Sequence, residues 1–512
     1  MNHQMTALSR AAQWPDPDPR TLLVLAFQFL AARRHADAHA FFAALPDSPR
    51  TQALTGFFLA LDGDRKAGLA LLDQAAEREL GVPHYLRGRL TGRADDLEFV
   101  VAVGDQFPPG FVRSARSILA GEPGPHLVTD WWRTEADGPR FAAPHLDEVA
   151  PGIYQAMGYD FADFTFVVTE DGIVAIDASG DPAHFAAALA DLPVERPVTH
   201  VILTHGHWDH VGGLPEGVEV IAHANLPEEL ERLRGQRMPW PYFRTGTPAA
   251  EPVPDLLVAD RQTVAIGGVD FELIPSPGGE TTDGLLVKIG DLLFAGDMIM
   301  PYLGAPFFAE GSPDGLLDAL ALVNELAPER ILHGHSGLTM AYTIDVLPAL
   351  ETALRSLRDD VRGAIADGLG LPEILGRDHL PESLRRTPTA VLPYLVIREG
   401  FIRRLHLQNS GYWQPDATQL DVVSADEWAG ALDLLAGGKP DAFRGAVTTL
   451  LDQGEHALAL RVADAGARRH PCDQDLADLR RDALLRLVEQ HQVLDPFKFI
   501  VYSGLAGLTV NS

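Results

Sequence analysis

The stretch VILTHGHWDHVGGLPEG, residues 201–217, sets three histidines and an aspartate within six residues. An apolar run precedes them and a Gly-Gly pair follows. Val201-Ile202-Leu203 reads as a buried strand that ends at Thr204, after which the chain turns directly into His205, His207, Asp209 and His210. Imidazole and carboxylate donors converge on a cation best where a rigid strand end holds them. Gly206 allows a tight turn and Gly212-Gly213 a close backbone approach. The spacing His-x-His-x-Asp-His provides two donor pairs, enough to begin two adjacent metal sites.

Outward from this loop the sequence alternates strand and helix signals. FTFVVTEDGIVAIDASG reads as two strands joined by a turn at Glu170-Asp171-Gly172, and PAHFAAALADL as a helix. VEVIAH, QTVAIGGVDFELIPSP, GLLVKIGDLLFAGD and RILHGH continue the strand pattern, with helices between some of them. Such alternation predicts an α/β domain over residues 145–340. Residues 1–122 are rich in Ala and Leu at helical spacing and predict stacked helical hairpins resembling tetratricopeptide repeats. The Pro-, Gly- and charge-mixed stretch 123–144 reads as a linker, and the helical period returns over 341–512.

A chain of 512 residues calls for several cores. A net charge of −30 argues against nucleic acid or an anionic membrane bound through a basic face, though not against an anionic substrate. Cys472 is the single cysteine, so a metal site must be built from His, Asp and Glu. The first residues lack a basic start followed by an apolar core, so no signal peptide is expected. TLLVLAFQFLAA is well short of the roughly 20 apolar residues that span a bilayer. A cytoplasmic protein is the expectation.

The loop at 205–210 resembles the metal-binding pattern of the metallo-β-lactamase superfamily, whose members place two metals at the edge of an αββα sandwich. LLFAGDMIM resembles the segment that carries the bridging carboxylate, which falls on Asp297, and RILHGHSG the segment with the last histidine, His335. His333, two residues earlier, would point to the opposite face of an extended segment. In SPGGETTDG, Gly279 stands where the superfamily commonly has a histidine, and Glu280 follows. A glutamate ligand here is a mark of the alkylsulfatase-like branch. PGIYQAMGYDFADFTFVV, LRDDVRGAIADGLGLPEI, GYWQPDATQLDVV and FIVYSGLAGL also resemble that branch, which extends the likeness over residues 145–512. Some features depart from it. Asp297 stands where the branch often has glutamate, the branch's usual C-terminal sterol-carrier-like domain is not expected here, and the N-terminal helices are outside its usual plan.

The resemblance implies two divalent metal ions. Zinc is the first choice, although iron or manganese suits the same donors. His205, His207 and Glu280 would hold one, and Asp209, His210 and His335 the other, with Asp297 between. It further implies a bridging water that becomes hydroxide near neutral pH, with Asp209 and Asp297 as the carboxylates at the reacting centre. Arg403 falls at the branch's basic position and His406 where its tyrosine would be. With Tyr242 they are the candidate residues for binding the rest of an anionic substrate, and MIMPYLGAPFF the candidate lining of an alkyl pocket. The expected activity is hydrolysis of an alkyl sulfate ester. The alternatives are hydrolysis of a lactone, thioester or phosphodiester on the same scaffold, or a non-catalytic interaction scaffold. The partners expected are a small anionic ester and a second copy bound through a helical dimerisation domain at 341–512, with neither nucleic acid nor membrane.

Overall fold

The computed structural model describes residues 3–104, 109–122, 126–129, 134–135, 138–234, 251–300, 310–411 and 421–508. Its contacts divide it into two compact units. One is Trp131–Gly411; the other joins Met1–Asp130 to Tyr412–Val510. The expected helical segment 341–512 is therefore shared between the units.

The first unit is an αββα sandwich. A short ladder, β1 (Thr134–Glu135) with β2 (Gly138–Pro139), stands apart from two larger sheets. The seven-stranded sheet runs in chain order: β3 (His145–Ala150), β4 (Ile153–Met157), β5 (Phe164–Val168), β6 (Ile173–Ile176), β7 (Val198–Ile202), β8 (Glu219–His223) and β9 (Leu256–Val258). Strands β3 to β6 pair antiparallel and β6 to β9 parallel. The five-stranded sheet holds β10 (Gln262–Ile266), β11 (Val269–Pro275), β12 (Leu285–Ile289), β13 (Leu292–Gly296) and β14 (Arg330–His333). Only its last pair, β13 with β14, is parallel.

Strand periodicity explains the layers, because alternate side chains face opposite sides. Val167, Val174, Ile202 and Ile221 of the larger sheet meet Phe271, Leu273, Val287 and Phe294 of the smaller one in a fully apolar layer. On the larger sheet's other face, Phe166, Ala175, Val201 and Val220 pack against Phe185 and Ala188 of the helix Pro182–Ala190. The anticipated turn also forms: Thr169 donates its backbone N–H to Gly172 at 2.8 Å. Helices Pro313–Leu326, Leu347–Ala366 and Val391–Ser410 complete this unit.

The second unit is all helical, from His3–Ala12 to Pro109–Leu119 and again from Ala425–Leu435 to Pro496–Leu505. Its two parts are bound by polar contacts distant in sequence. The Gln28 side-chain amide donates to Gln490 O at 2.6 Å, and Val128 N to Gln492 Oε1 at 2.8 Å. Among the described residues no helix is long and apolar enough to cross a membrane.

Candidate metal centre

Strands β6 and β7 lie side by side and parallel, and both deliver polar residues to the same end of the sheet. Beyond β6, Asp177 and Ser179 adopt left-handed backbone, each with φ of 61°, a conformation that costs energy in non-glycine residues and gathers at functional sites. The Asp177 carboxylate occupies both of its oxygens. Oδ1 accepts from Thr204 N, and Oδ2 from Thr204 Oγ1 and His210 Nδ1, all at 2.8 Å. One buried aspartate thus fixes both the end of β7 and a histidine six residues farther on.

The donors converge beside it. Glu280 Oε2 lies 3.3 Å from His205 Nε2 and 3.6 Å from His207 Nδ1. His335 Nε2 lies 3.2 Å from Asp209 Oδ2 and 3.0 Å from Asp297 Oδ2. His210 Nε2 is 3.7 Å from the Asp209 carboxylate and 3.5 Å from that of Asp297. Three triads have their donor atoms within 4.8 Å of one another: His205–His207–Glu280, Asp209–His210–His335 and His205–His210–Asp297. All seven residues are buried.

Whether these residues suit cations is decided by the atoms they leave unpaired. His205 Nε2, His210 Nε2, Glu280 Oε2 and Asp297 Oδ1 are buried without a hydrogen-bond partner. Buried polar atoms are nearly always satisfied, and several orphans facing one point are costly unless a cation meets them. The outward ring nitrogens, by contrast, are held. His210 Nδ1 faces Asp177, His335 Nδ1 donates to Phe161 O at 3.0 Å, and His205 Nδ1 lies 3.1 Å from Thr204 Oγ1. Such outer contacts set tautomer and ring angle in metal-ligating histidines. The set fits two adjacent divalent cations.

Electrostatics agree with that fit. Burial opposes charge on His210 and His335, yet Asp297 and Asp209 outweigh it and hold both imidazoles well above their ordinary pKa. Burial likewise works against the Asp297 carboxylate, but His335 and His210 keep it well below the usual range. Glu280 is pushed well up, by burial first. His205 shifts the other way, well below its ordinary pKa, through burial first and then the neighbouring His210, so the four imidazoles do not titrate alike.

Glycines make room for this geometry. A Cβ on Gly334 would lie 2.4 Å from Asp297 Oδ1 and 2.7 Å from His210 Cε1. At Gly279, the position where a histidine is common, a Cβ would meet Met298 O at 2.6 Å. The loop is therefore packed for glycine at 279 and takes its donor from Glu280. His333 faces elsewhere, as strand alternation predicts. Its Nε2 lies 3.2 Å from Tyr342 O, and it lines a cavity of about 340 Å³ with Gln155 and Met157.

The substrate-side residues fare differently. Arg403 is 53% exposed and pairs with Glu399 at 2.8 Å, one helical turn away, so the structure does not bring it to the cluster. The adjacent Arg404 is the buried one, and its charge interacts with Glu310. His406 is buried on the same helix, and burial lowers its pKa. Tyr242 and residues 301–308 of the apolar stretch lie outside the described residues. Sequence reasoning missed Asp177, Glu310 and Arg404. Asp177 left a signal, since AIDASG sets an acid directly after an apolar strand run and before small residues.

Residues 157–335 match the model of the Metallo-beta-lactamase superfamily, so the α/β unit carries a domain of that superfamily. Among solved structures, the fold is shared with the stereoselective inverting sec-alkylsulfatase Pisa1 from Pseudomonas sp., at a TM-score of 0.60 and 19% identity. That likeness covers 72% of this chain and 66% of the other, about two thirds of its length. Among curated proteins, a hydroxyacylglutathione hydrolase of Pseudomonas putida (strain W619) is 28% identical over 229 residues, 43% of this chain and 79% of the relative. A linear primary-alkylsulfatase from Pseudomonas sp. is 27% identical over 184 residues, 28% of this chain and 27% of that enzyme.

Proposed function

We propose that this protein is a hydrolase holding two divalent cations, and that its substrate is a sulfate ester of an organic alcohol. Glu280 carries the reading. It supplies a buried carboxylate within 3.6 Å of His205 and His207, where a histidine is the commoner donor. In this reading His205, His207 and Glu280 hold one cation, and Asp209, His210 and His335 the other, with Asp297 between them. Two such cations supply Lewis acidity toward the ester oxygen and bring the pKa of water to about 7. The protein's part is to orient the donors and to keep the centre dry. Asp177 and the Phe161 carbonyl fix His210 and His335. The Phe161 ring, 4.6 Å from that of His335 and stacked on Trp208, shields the same side.

A second reading, thioester hydrolysis, is favoured by the hydroxyacylglutathione hydrolase relative, of which the chain covers 79% against 27% of the alkylsulfatase sequence. Zinc-loaded protein assayed in parallel separates the two. Inorganic sulfate released from short- and long-chain alkyl sulfates, and abolished in Asp297→Ala, supports the first reading. Thiol released from acyl thioesters without sulfate release replaces it with the second. The C-terminal helices are proposed to join two copies. Leu434 and Leu435, 82% and 85% exposed on helix Ala425–Leu435, are in keeping with that. A monomer mass by light scattering at micromolar protein would remove it.

A further inference from the structure

His207 is turned differently from the other three histidines. His205, His210 and His335 direct Nε2 into the cluster and keep Nδ1 on its outer side, within reach of Thr204, Asp177 and the Phe161 carbonyl. His207 directs Nδ1 inward, 3.6 Å from Glu280 Oε2. Its outer nitrogen is therefore Nε2, at the far end of the ring from its own backbone. A partner for Nε2 must come from elsewhere in the chain, and it comes from Glu310, 103 residues on, whose Oε2 lies 3.3 Å away.

Glu310 is itself held. It is 5% exposed, and Arg232 Nη2 on the helix Leu226–Leu233 donates to its Oε2 at 2.8 Å. Arg232 is anchored in turn by Glu229, to which its Nε donates at 2.9 Å, and Glu229 accepts from Thr282 Oγ1 at 2.9 Å. Thr282 is two residues from Glu280, so the chain of contacts returns to the loop that carries the same triad's carboxylate. Arg404, on the helix Val391–Ser410, adds a second positive charge facing Glu310.

We propose that Glu310 is a positioning residue: it fixes the His207 ring with Nδ1 toward the His205–His207–Glu280 triad, and Arg232 fixes Glu310. The inference rests on the metal-site reading above. A histidine ligand that loses its outer partner commonly loses about 10- to 100-fold in metal affinity. The effect here should fall mainly on one of the two cations, because the histidine that Glu310 holds, His207, belongs to the His205–His207–Glu280 triad.

The test is zinc titration of the full-length, metal-stripped chain against a chromophoric chelator, with thermal midpoints of the metal-free proteins alongside. Wild type should show two binding steps. Glu310→Ala should weaken one step about 10- to 100-fold and leave the other unchanged, with the metal-free midpoint preserved. Glu310→Gln keeps an acceptor for Nε2–H and should stay within about threefold of wild type. If Glu310→Ala fails to fold, Arg232→Met should weaken the same step severalfold. Equal weakening of both steps together with a lowered metal-free midpoint would mean a structural role only and overturn the proposal. Unaltered zinc binding in both Glu310→Ala and Arg232→Met would overturn it as well. Wild-type protein that binds no zinc would sink the metal-site reading, and this one with it.

Discussion

The two compact units differ in whether their buried ionisable groups converge. In the α/β unit, seven ionisable side chains converge and four of their buried atoms face one another without hydrogen bonds. In the helical unit, buried polar groups meet in small local sets: Tyr85 Oη with Ser114 Oγ at 2.7 Å and Arg89 Nη1 at 3.0 Å, and Arg87 with Asp96 at 2.6 Å and Asp73 at 2.9 Å. Unpaired atoms there, such as His35 Nε2 and His84 Nδ1, belong to no metal-competent group among the described residues. Its histidines stand singly, and His456 is buried at 2% exposure with Nδ1 3.3 Å from Gln490 Oε1. Among the described residues every group able to hold a metal lies in the α/β unit. Convergent orphans suit a cation, whereas scattered groups offer it no common point.

The sharpest way to break this contrast is Asp297→Ala, whose carboxylate groups with one histidine from each of the other two triads, His205 and His210. Turnover should fall by about three orders of magnitude or more, with metal content reduced. A variant with normal turnover would mean that the cluster is not the reacting centre. Chelation comes next. A cation at a thousand times its Kd contributes about 4 kcal/mol to whatever folds around it. Stripping it should lower a thermal transition of the α/β unit and leave that of the helical unit in place, as scanning calorimetry would resolve.

Acid should reach both units, since buried His333 of the α/β unit is also lowered to about 4, and the helical unit responds through its own histidines. Burial lowers the pKa of His456 to about 4, and His35, His84 and His126 shift in the same direction, each through burial first. A histidine whose folded pKa lies below its unfolded value of 6.5 binds fewer protons when folded. Its contribution is intact above about pH 6.5 and is lost as pH falls toward 4. For His456 the loss reaches about 3 kcal/mol at 1.36 kcal/mol per pKa unit. Urea midpoints of the helical unit followed from pH 7 to pH 4 should fall, and less steeply in His456→Gln.

A smaller effect is expected from Asp177→Ala, which touches no cation in the proposed set. Releasing His210 Nδ1 and the Thr204 N–H should cost about 10- to 100-fold in metal affinity, read by the same chelator competition. Unchanged affinity would show that the strand end holds its shape without the acid. The smallest effect is predicted for Arg403→Ala. With its guanidinium in solvent against Glu399, KM should stay within about twofold of wild type. A large rise in KM would restore Arg403 to the substrate site.

Much of the centre was legible because it is local. His205, His207, Asp209 and His210 share one turn, and the apolar run before them announces the strand that fixes it. Asp297 and His335 were read from the resemblance of LLFAGDMIM and RILHGHSG to superfamily segments, and both follow strand ends, β13 and β14. Arg403 and Arg404 show where such reading fails. Neighbours on a helix point about 100° apart, and helix Val391–Ser410 has buried residues on several sides, so periodicity alone does not say which arginine turns inward.

By itself, the sequence determined the α/β pattern and the clustering of His205, His207, Asp209 and His210 after a strand, because strand alternation and glycine-bounded turns act over a few residues. Glu280, Asp297 and His335 entered as candidates through the resemblance. Only the tertiary structure decided which distant groups complete them: Asp177 behind His210, the Phe161 carbonyl behind His335, and Glu310 with Arg232 behind His207. It alone also decided that residues after 411 pack with the N-terminal helices. A side chain's outer partner depends on where two sheets and their helices bring remote residues into register, and no short-range spacing encodes that.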